Sequence, residues 1–127
     1  MKILIVDDES LVRRSLQKAF TAHGHTVIIA EEGISGLNLW QQEKPDLVIL
    51  DVLMPGMTGP EIIEKIDSSL KAKTKVVVIS AYAGEFNDQL KESKNFDLYL
   101  AKPFDDIMQI VKITEELFKS GKNGHTN

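Results

Sequence analysis

Cysteine is absent from the 127 residues, which excludes disulfide staples and thiolate-bound metals. Long apolar runs are missing too. The opening MKILIVDDES places only four apolar residues before three acids, too few for a signal-peptide core, and no later uncharged stretch approaches membrane-spanning length. Basic blocks are also absent, and 15 Lys and Arg against 19 Asp and Glu give a formal charge of −4, so neither direct nucleic-acid binding nor membrane insertion is expected. A cytoplasmic protein is the expectation. There is no internal repeat and no low-complexity linker. What remains, 43% hydrophobic and 27% charged residues, suits one globular domain with a full core.

Short runs rich in Ile, Val and Leu recur at residues 2–6, 26–30, 46–50, 76–80 and 97–101. Their apolar residues are continuous rather than alternating, which predicts strands covered on both faces. Helical spacing fills the intervals. Val12, Leu16, Ala19 and Phe20 mark a first helix, and Ile34, Leu37 and Trp40 a second. Ile62, Ile66 and Leu70 mark a third, opened by Pro60 where a missing amide matters little. A weak fourth, near residues 86–93, shows only Phe86 and Leu90, and Ile107, Ile110, Val111, Thr114 and Leu117 mark the last. Residues 120–127 (SGKNGHTN) carry no apolar side chain and are expected to be a disordered tail beyond a domain of residues 1–119.

Five strand–helix repeats predict an α/β domain, a doubly wound parallel sheet with helices on both faces. Such sheets bind ligands beyond the carboxyl ends of their strands. There the sequence puts Asp7-Asp8-Glu9 after the first strand, Asp51 after the third, Ser80 at the end of the fourth and Lys102 after the fifth. With strand order 2-1-3-4-5, the first and third strands are neighbours, and these groups share one edge. Singly, each has a plain structural role open to it: Asp7 or Asp8 as a helix cap, Asp51 as a turn residue, Lys102 as surface charge, Ser80 as a strand-end hydroxyl. Together they point elsewhere. Two carboxylates about 4 Å apart repel by roughly 4 kcal/mol at an effective dielectric near 20, so a cluster of them calls for a cation. Hard oxygen donors suit Mg²⁺. His23 and His25 offer a competing imidazole pair, but His23 fits the last turn of the first helix with Gly24 as its left-handed cap. His125 falls in the tail.

The motifs ILIVDDE, PDLVILDVLMPGMTG, VVVISAYAG and YLAKPF occur in this order across nearly the whole chain. In these motifs the sequence resembles the receiver domain of two-component response regulators. The resemblance implies a (βα)5 flavodoxin-like fold with Asp51 as phosphoacceptor, receiving its phosphoryl group from a sensor histidine kinase or a histidine phosphotransfer protein. It implies Mg²⁺ held by Asp8, Asp51 and the Leu53 carbonyl, with Asp7 acting through water. Lys102 matches the phosphoryl-contacting lysine, in a cis peptide with Pro103. Ser80 and Tyr99 match the hydroxyl and aromatic switch positions, and Leu53 and Tyr82 flank the phosphoryl group. An aliphatic and a bulky aromatic side chain there imply slow self-hydrolysis. A downstream protein target would read the switch through the fourth helix, fifth strand and fifth helix.

Lys94-Asn95-Phe96 depart from the Gly-Ala that the family often shows before the fifth strand, though Asn95 tolerates a left-handed turn. Phrases such as AYAGEF and AKPFD resemble phosphorelay-type receivers more than DNA-binding regulators. Two other classes fit less well. A phosphatase of the haloacid dehalogenase type needs a second Asp two residues after its nucleophile, where Leu53 stands. A flavodoxin-like electron carrier needs an uncharged phosphate loop after the first strand, where three acids stand.

Overall fold

The computed structural model describes residues 1–81 and 95–123. Its elements run β1 (Lys2–Val6), α1 (Ser10–Ala22), β2 (Thr26–Ala30), α2 (Gly33–Glu43), β3 (Leu47–Asp51), α3 (Gly59–Lys65), α4 (Ser68–Ala72), β4 (Lys75–Ser80), β5 (Leu98–Ala101) and α5 (Ile107–Asn123). All strand pairs are parallel, in the order β2-β1-β3-β4-β5. This is the doubly wound α/β sheet that the strand–helix alternation predicts. The helix expected at residues 86–93 on Phe86 and Leu90, together with Lys94 and Tyr82, lies outside the described residues.

Continuous apolar strands feed two cores because successive side chains point to opposite faces. Leu4, Val6, Val48, Leu50, Val76 and Val78 pack with Trp40, Ile62, Ile63 and Ile66 on the α2–α3 side. Ile3, Ile5, Leu47, Ile49, Val77 and Ile79 pack with Leu16, Ala19, Phe20, Ile110 and Val111 on the α1–α5 side. Among the described residues, no helix is long and apolar enough to cross a membrane.

Three local expectations change. Ile34 is not part of the α2 core face but is 49% exposed, while Gly33, Gly36 and Trp40 are buried. The cause is close approach: a Cβ on Gly36 would stand 2.6 Å from Val6 Cγ1, so the helix turns its glycine side to the sheet. The single helix expected over Ile62, Ile66 and Leu70 is two, because Ile66 is extended (ψ 145°) and Asp67 starts afresh by accepting from the Ser69 amide. At the chain's end, α5 runs through Asn123 into the segment read as tail, with residues 124–127, His125 among them, outside the described set.

Two helix ends are closed by local hydrogen bonds, the start of α3 and the end of α1. Thr58 and Glu61 form a reciprocal capping box on α3, with Pro60 in its first turn. His23 caps α1, and Gly24 (φ 86°) and His25 return amides to Thr21 and Phe20, closing a Schellman turn. Both imidazoles then meet α5, with His25 Nε2 at 2.7 Å and His23 Nδ1 at 3.3 Å from Glu115 Oε2.

The α3 N-terminus presses directly on the strand that ends in Asp51. Gly59 donates its amide to Val52 O at 2.9 Å, and a Cβ there would stand 2.5 Å from Asp51 O and 3.2 Å from Val52 Cα. Backbone cannot yield as a flexible side chain can. Gly59→Ala is therefore expected to lower unfolding stability by about 1–3 kcal/mol in urea denaturation. An unchanged midpoint would show that α3 can retreat freely from β3.

Candidate functional site

Register sets the site. Val6 pairs with Leu50 across β1 and β3, so Asp7, the next residue, comes abreast of Asp51. Ser80 ends β4 opposite Ala101, which brings Lys102 to the same edge, and the Lys102 amide donates to Ser80 O at 2.9 Å. The Lys102–Pro103 peptide is cis, as the resemblance implies.

Asp7 and Asp51 are buried, at 0% and 4% exposure, whereas Asp8 is exposed. Carboxylate oxygens of Asp7, Asp8 and Asp51 lie within 4.8 Å of one another, and among the described residues this is the only such group of metal-ligating side chains. Lys102 Nζ stands 2.9 Å from Asp7 Oδ2, 3.3 Å from Asp51 Oδ2 and 2.6 Å from Glu9 Oε1. Three carboxylates thus pair with one ammonium, and the Asp8 carboxylate lies beside them. Asp7 Oδ2 is buried and, beyond that ion pair, has no hydrogen-bond partner. Asp7 Oδ1 accepts the Glu9 amide at 2.8 Å, which fixes the bend of the β1–α1 loop.

The titration of these groups follows from crowding. Burial first, then the Asp7 charge, push the Asp51 carboxyl from 3.8 up to about 7, against the opposing pull of Lys102. For Lys102, burial works against the charged form, but Glu9, Asp7 and Asp51 outweigh it and raise its pKa above the ordinary lysine value. The ammonium stays charged.

A cleft of about 200 Å³ opens on this edge, lined by Asp8, Glu9, Asp51, Leu53, Ser80, Ala81 and Lys102. A tetrahedral anion fits such a space. Ser80 is buried and Leu53 half-buried at its wall. Tyr99 does not line the cleft; it sits in β5 paired with Val78 and packs against the α2–α3 core. His23 and His25 lie away from these carboxylates and are taken up by Glu115.

Two residues at this edge escape sequence reading. Glu9 appears there only as part of an acidic turn, yet it makes the shortest contact to Lys102. Arg13 is 93% buried, a position for which its side chain gives no hint, and its Nη1 donates to Asp7 O at 2.9 Å while Nη2 meets Glu31 at 3.4 Å. A signal for Arg13 existed, since it falls three residues before Leu16 and seven before Phe20 on the buried face.

Comparison with known proteins agrees with this geometry. The family description "response regulator receiver domain" matches residues 3–115. Sporulation initiation phosphotransferase F of Bacillus subtilis is 39% identical over 106 residues, covering 82% of this chain and 83% of that protein. The transcriptional regulatory protein CseB of Streptomyces coelicolor is 30% identical over 96% of this chain, which spans only 51% of that regulator. Among solved structures, a CheY-like receiver domain protein of Methanospirillum hungatei superposes with a TM-score of 0.82 at 30% identity, covering 96% of this chain and 97% of that one. The chain, with its acidic edge and its five parallel strands in the order 2-1-3-4-5, belongs to the response regulator receiver domains of two-component signalling.

Proposed function

We propose that residues 1–119 act as a phosphoacceptor, taking a phosphoryl group from a sensor histidine kinase or histidine phosphotransfer protein onto Asp51. The observation that carries this is Asp51 itself, fixed at the end of a buried strand with Oδ2 3.3 Å from Lys102 Nζ and open to the cleft. An Asp51 oxygen forms the new O–P bond while the donor's P–N bond breaks, its electron pair leaving with the imidazole nitrogen. Little covalent help is required; positioning and charge do most of the work. Lys102 offsets charge on the incoming oxygens, and Ser80 donates a hydrogen bond to the product.

The residues fit Mg²⁺: an all-oxygen donor set, with a buried Asp7 oxygen that has no partner beyond the Lys102 ion pair. Asp8, Asp51 and the Leu53 carbonyl would hold it, with Asp7 acting through water. When bound, it supplies positive charge toward the phosphoryl oxygens. The output is a population shift in which Ser80 is drawn to the phosphoryl group and the Tyr99 ring moves inward. A downstream protein then reads residues 86–93, β5 and α5. The receiver domain acts in the cytoplasm through protein contact, has no direct nucleic-acid partner and no membrane insertion of its own, and promotes only its own phosphorylation and dephosphorylation. Its likeness to a protein named as a phosphotransferase favours a relay role.

Intact mass after acetyl phosphate and Mg²⁺ tests the reading: wild type should gain one phosphoryl group and Asp51→Asn none. Mg²⁺ should also raise the melting temperature, and Asp8→Ala should remove most of that rise. The same gain of mass in Asp51→Asn would move the acceptor elsewhere.

Asp51 titration gives a pH signature in the metal-free protein. A folded pKa of about 7 lies above the unfolded 3.8, so the folded state keeps a proton that the unfolded chain has already lost. Stability therefore falls as pH rises from about 4 to about 7, and the loss is complete above that window. Asp51→Asn lacks the penalty; it should melt several degrees above wild type at pH 8, with the margin shrinking toward pH 5. Equal margins at both pH values would contradict a proton held on Asp51.

Leu53, half-buried at the cleft wall, cannot orient a water for in-line attack. Leu53→Asn should shorten the lifetime of the phosphorylated protein by about threefold or more on a phosphate-affinity gel. An unchanged lifetime would assign Leu53 to partner recognition instead.

A further inference from the structure

Glu9 stands where α1 begins, yet its side chain makes no hydrogen bond to the helix amides. Its carboxylate reaches across the acidic edge to Lys102, at 2.6 Å the shortest of the three contacts to that ammonium. The partners differ in burial. Asp7 is fully buried, the Asp51 side chain is 6% exposed and that of Lys102 also 6%, whereas the Glu9 side chain is 56% exposed. Asp7 and Asp51 therefore hold the ammonium from within, and Glu9 covers it from the solvent side. Glu9 also lines the cleft that holds Asp51 and Ser80.

A phosphoryl group on Asp51 would bring negative charge into the cleft that Glu9 lines, beside the ammonium that the Glu9 and Asp51 carboxylates share. The phosphoryl group and Glu9 cannot both pair with Lys102 without strong repulsion, and only Glu9 has the solvent exposure to leave. Resting on the phosphoacceptor reading above, we propose that Glu9 is a positioning residue that covers Lys102 before transfer and must swing out for a phosphoryl group to enter. It thereby disfavours small, highly charged phosphodonors. A protein donor escapes the restriction when it places a cationic or hydrogen-bonding group beside the cleft that receives the displaced carboxylate.

Two substitutions separate the ion pair from bulk charge. Glu9→Gln removes the charge, and Glu9→Asp keeps it but shortens the side chain by one methylene, out of reach of Nζ. Melting curves confirm that each variant folds. In the metal-free protein, lysine-selective ¹H–¹⁵N spectra at low temperature should show a slowly exchanging Lys102 ammonium, identified by its loss in Lys102→Met. Both Glu9 variants should broaden that signal through solvent exchange. With saturating Mg²⁺, both should be phosphorylated by acetyl phosphate faster than wild type, by about threefold to tenfold, with a smaller gain for the less charged phosphoramidate. An unchanged ammonium signal in both variants would overturn the covering role, and equal or slower acetyl phosphate rates would overturn the gate. Failure of the phosphoacceptor reading looks different: wild type itself gains no phosphoryl mass with either donor, which sinks the gate with it.

Discussion

Every feature of the acidic edge depends on one ammonium. Lys102 arrives from the strand end of β5 and meets two carboxylates carried by the β1–α1 loop and one by β3. Without it, Asp7 and Asp51 would be buried like charges, each repelling the other by roughly 3–4 kcal/mol at an effective dielectric near 20. With it, the edge still carries more negative than positive charge. That imbalance makes the site receptive to a divalent cation and adds to burial, the larger cause, in raising the Asp51 pKa to about 7.

Such a site survives because the sheet does not let it relax. The parallel register that sets Val6 against Leu50 and Ser80 against Ala101 is fixed by two apolar cores, and a slip of one residue would turn every strand side chain to the wrong face. Close backbone contacts tighten the frame further. The α3 N-terminus rests on the Asp51 carbonyl through Gly59, and Arg13 ties the Asp7 carbonyl to Glu31 at the end of β2. Apolar packing far larger than the local repulsion therefore holds the carboxylates where their charges alone would not stay.

What was legible in the sequence follows from this division of labour. Continuous runs such as residues 47–50 declare buried parallel strands, and strand ends then declare the edge, because both depend on periodicity and composition. Asp7, Asp8, Asp51, Ser80, Leu53 and Lys102 come together as the motifs imply, with Tyr99 set apart in β5. Departures arise where tertiary approach overrides local pattern. Ile34 has helical spacing but loses the core to Gly36, which alone lets α2 touch Val6. Ile66 has the right spacing for one long helix, but the Asp67 side chain offers the backbone an alternative partner and starts α4. Arg13 shares the spacing of the buried face of α1, but nothing in its neighbours shows that a carbonyl at the sheet edge needs a donor.

Glu9 was the least legible because its partner lies 93 residues away and its own position suits a helix cap. Its exposure is what distinguishes it from the other acids. Buried Asp7 and Asp51 are committed by the frame, so any change in the charge of the edge must be answered by groups that can still move or titrate. Three answers are available in this geometry: a proton on Asp51, a divalent cation among the aspartates, or rotation of Glu9 away from Lys102. Each reduces the same excess of negative charge by a different route, and each therefore alters how strongly the others are needed.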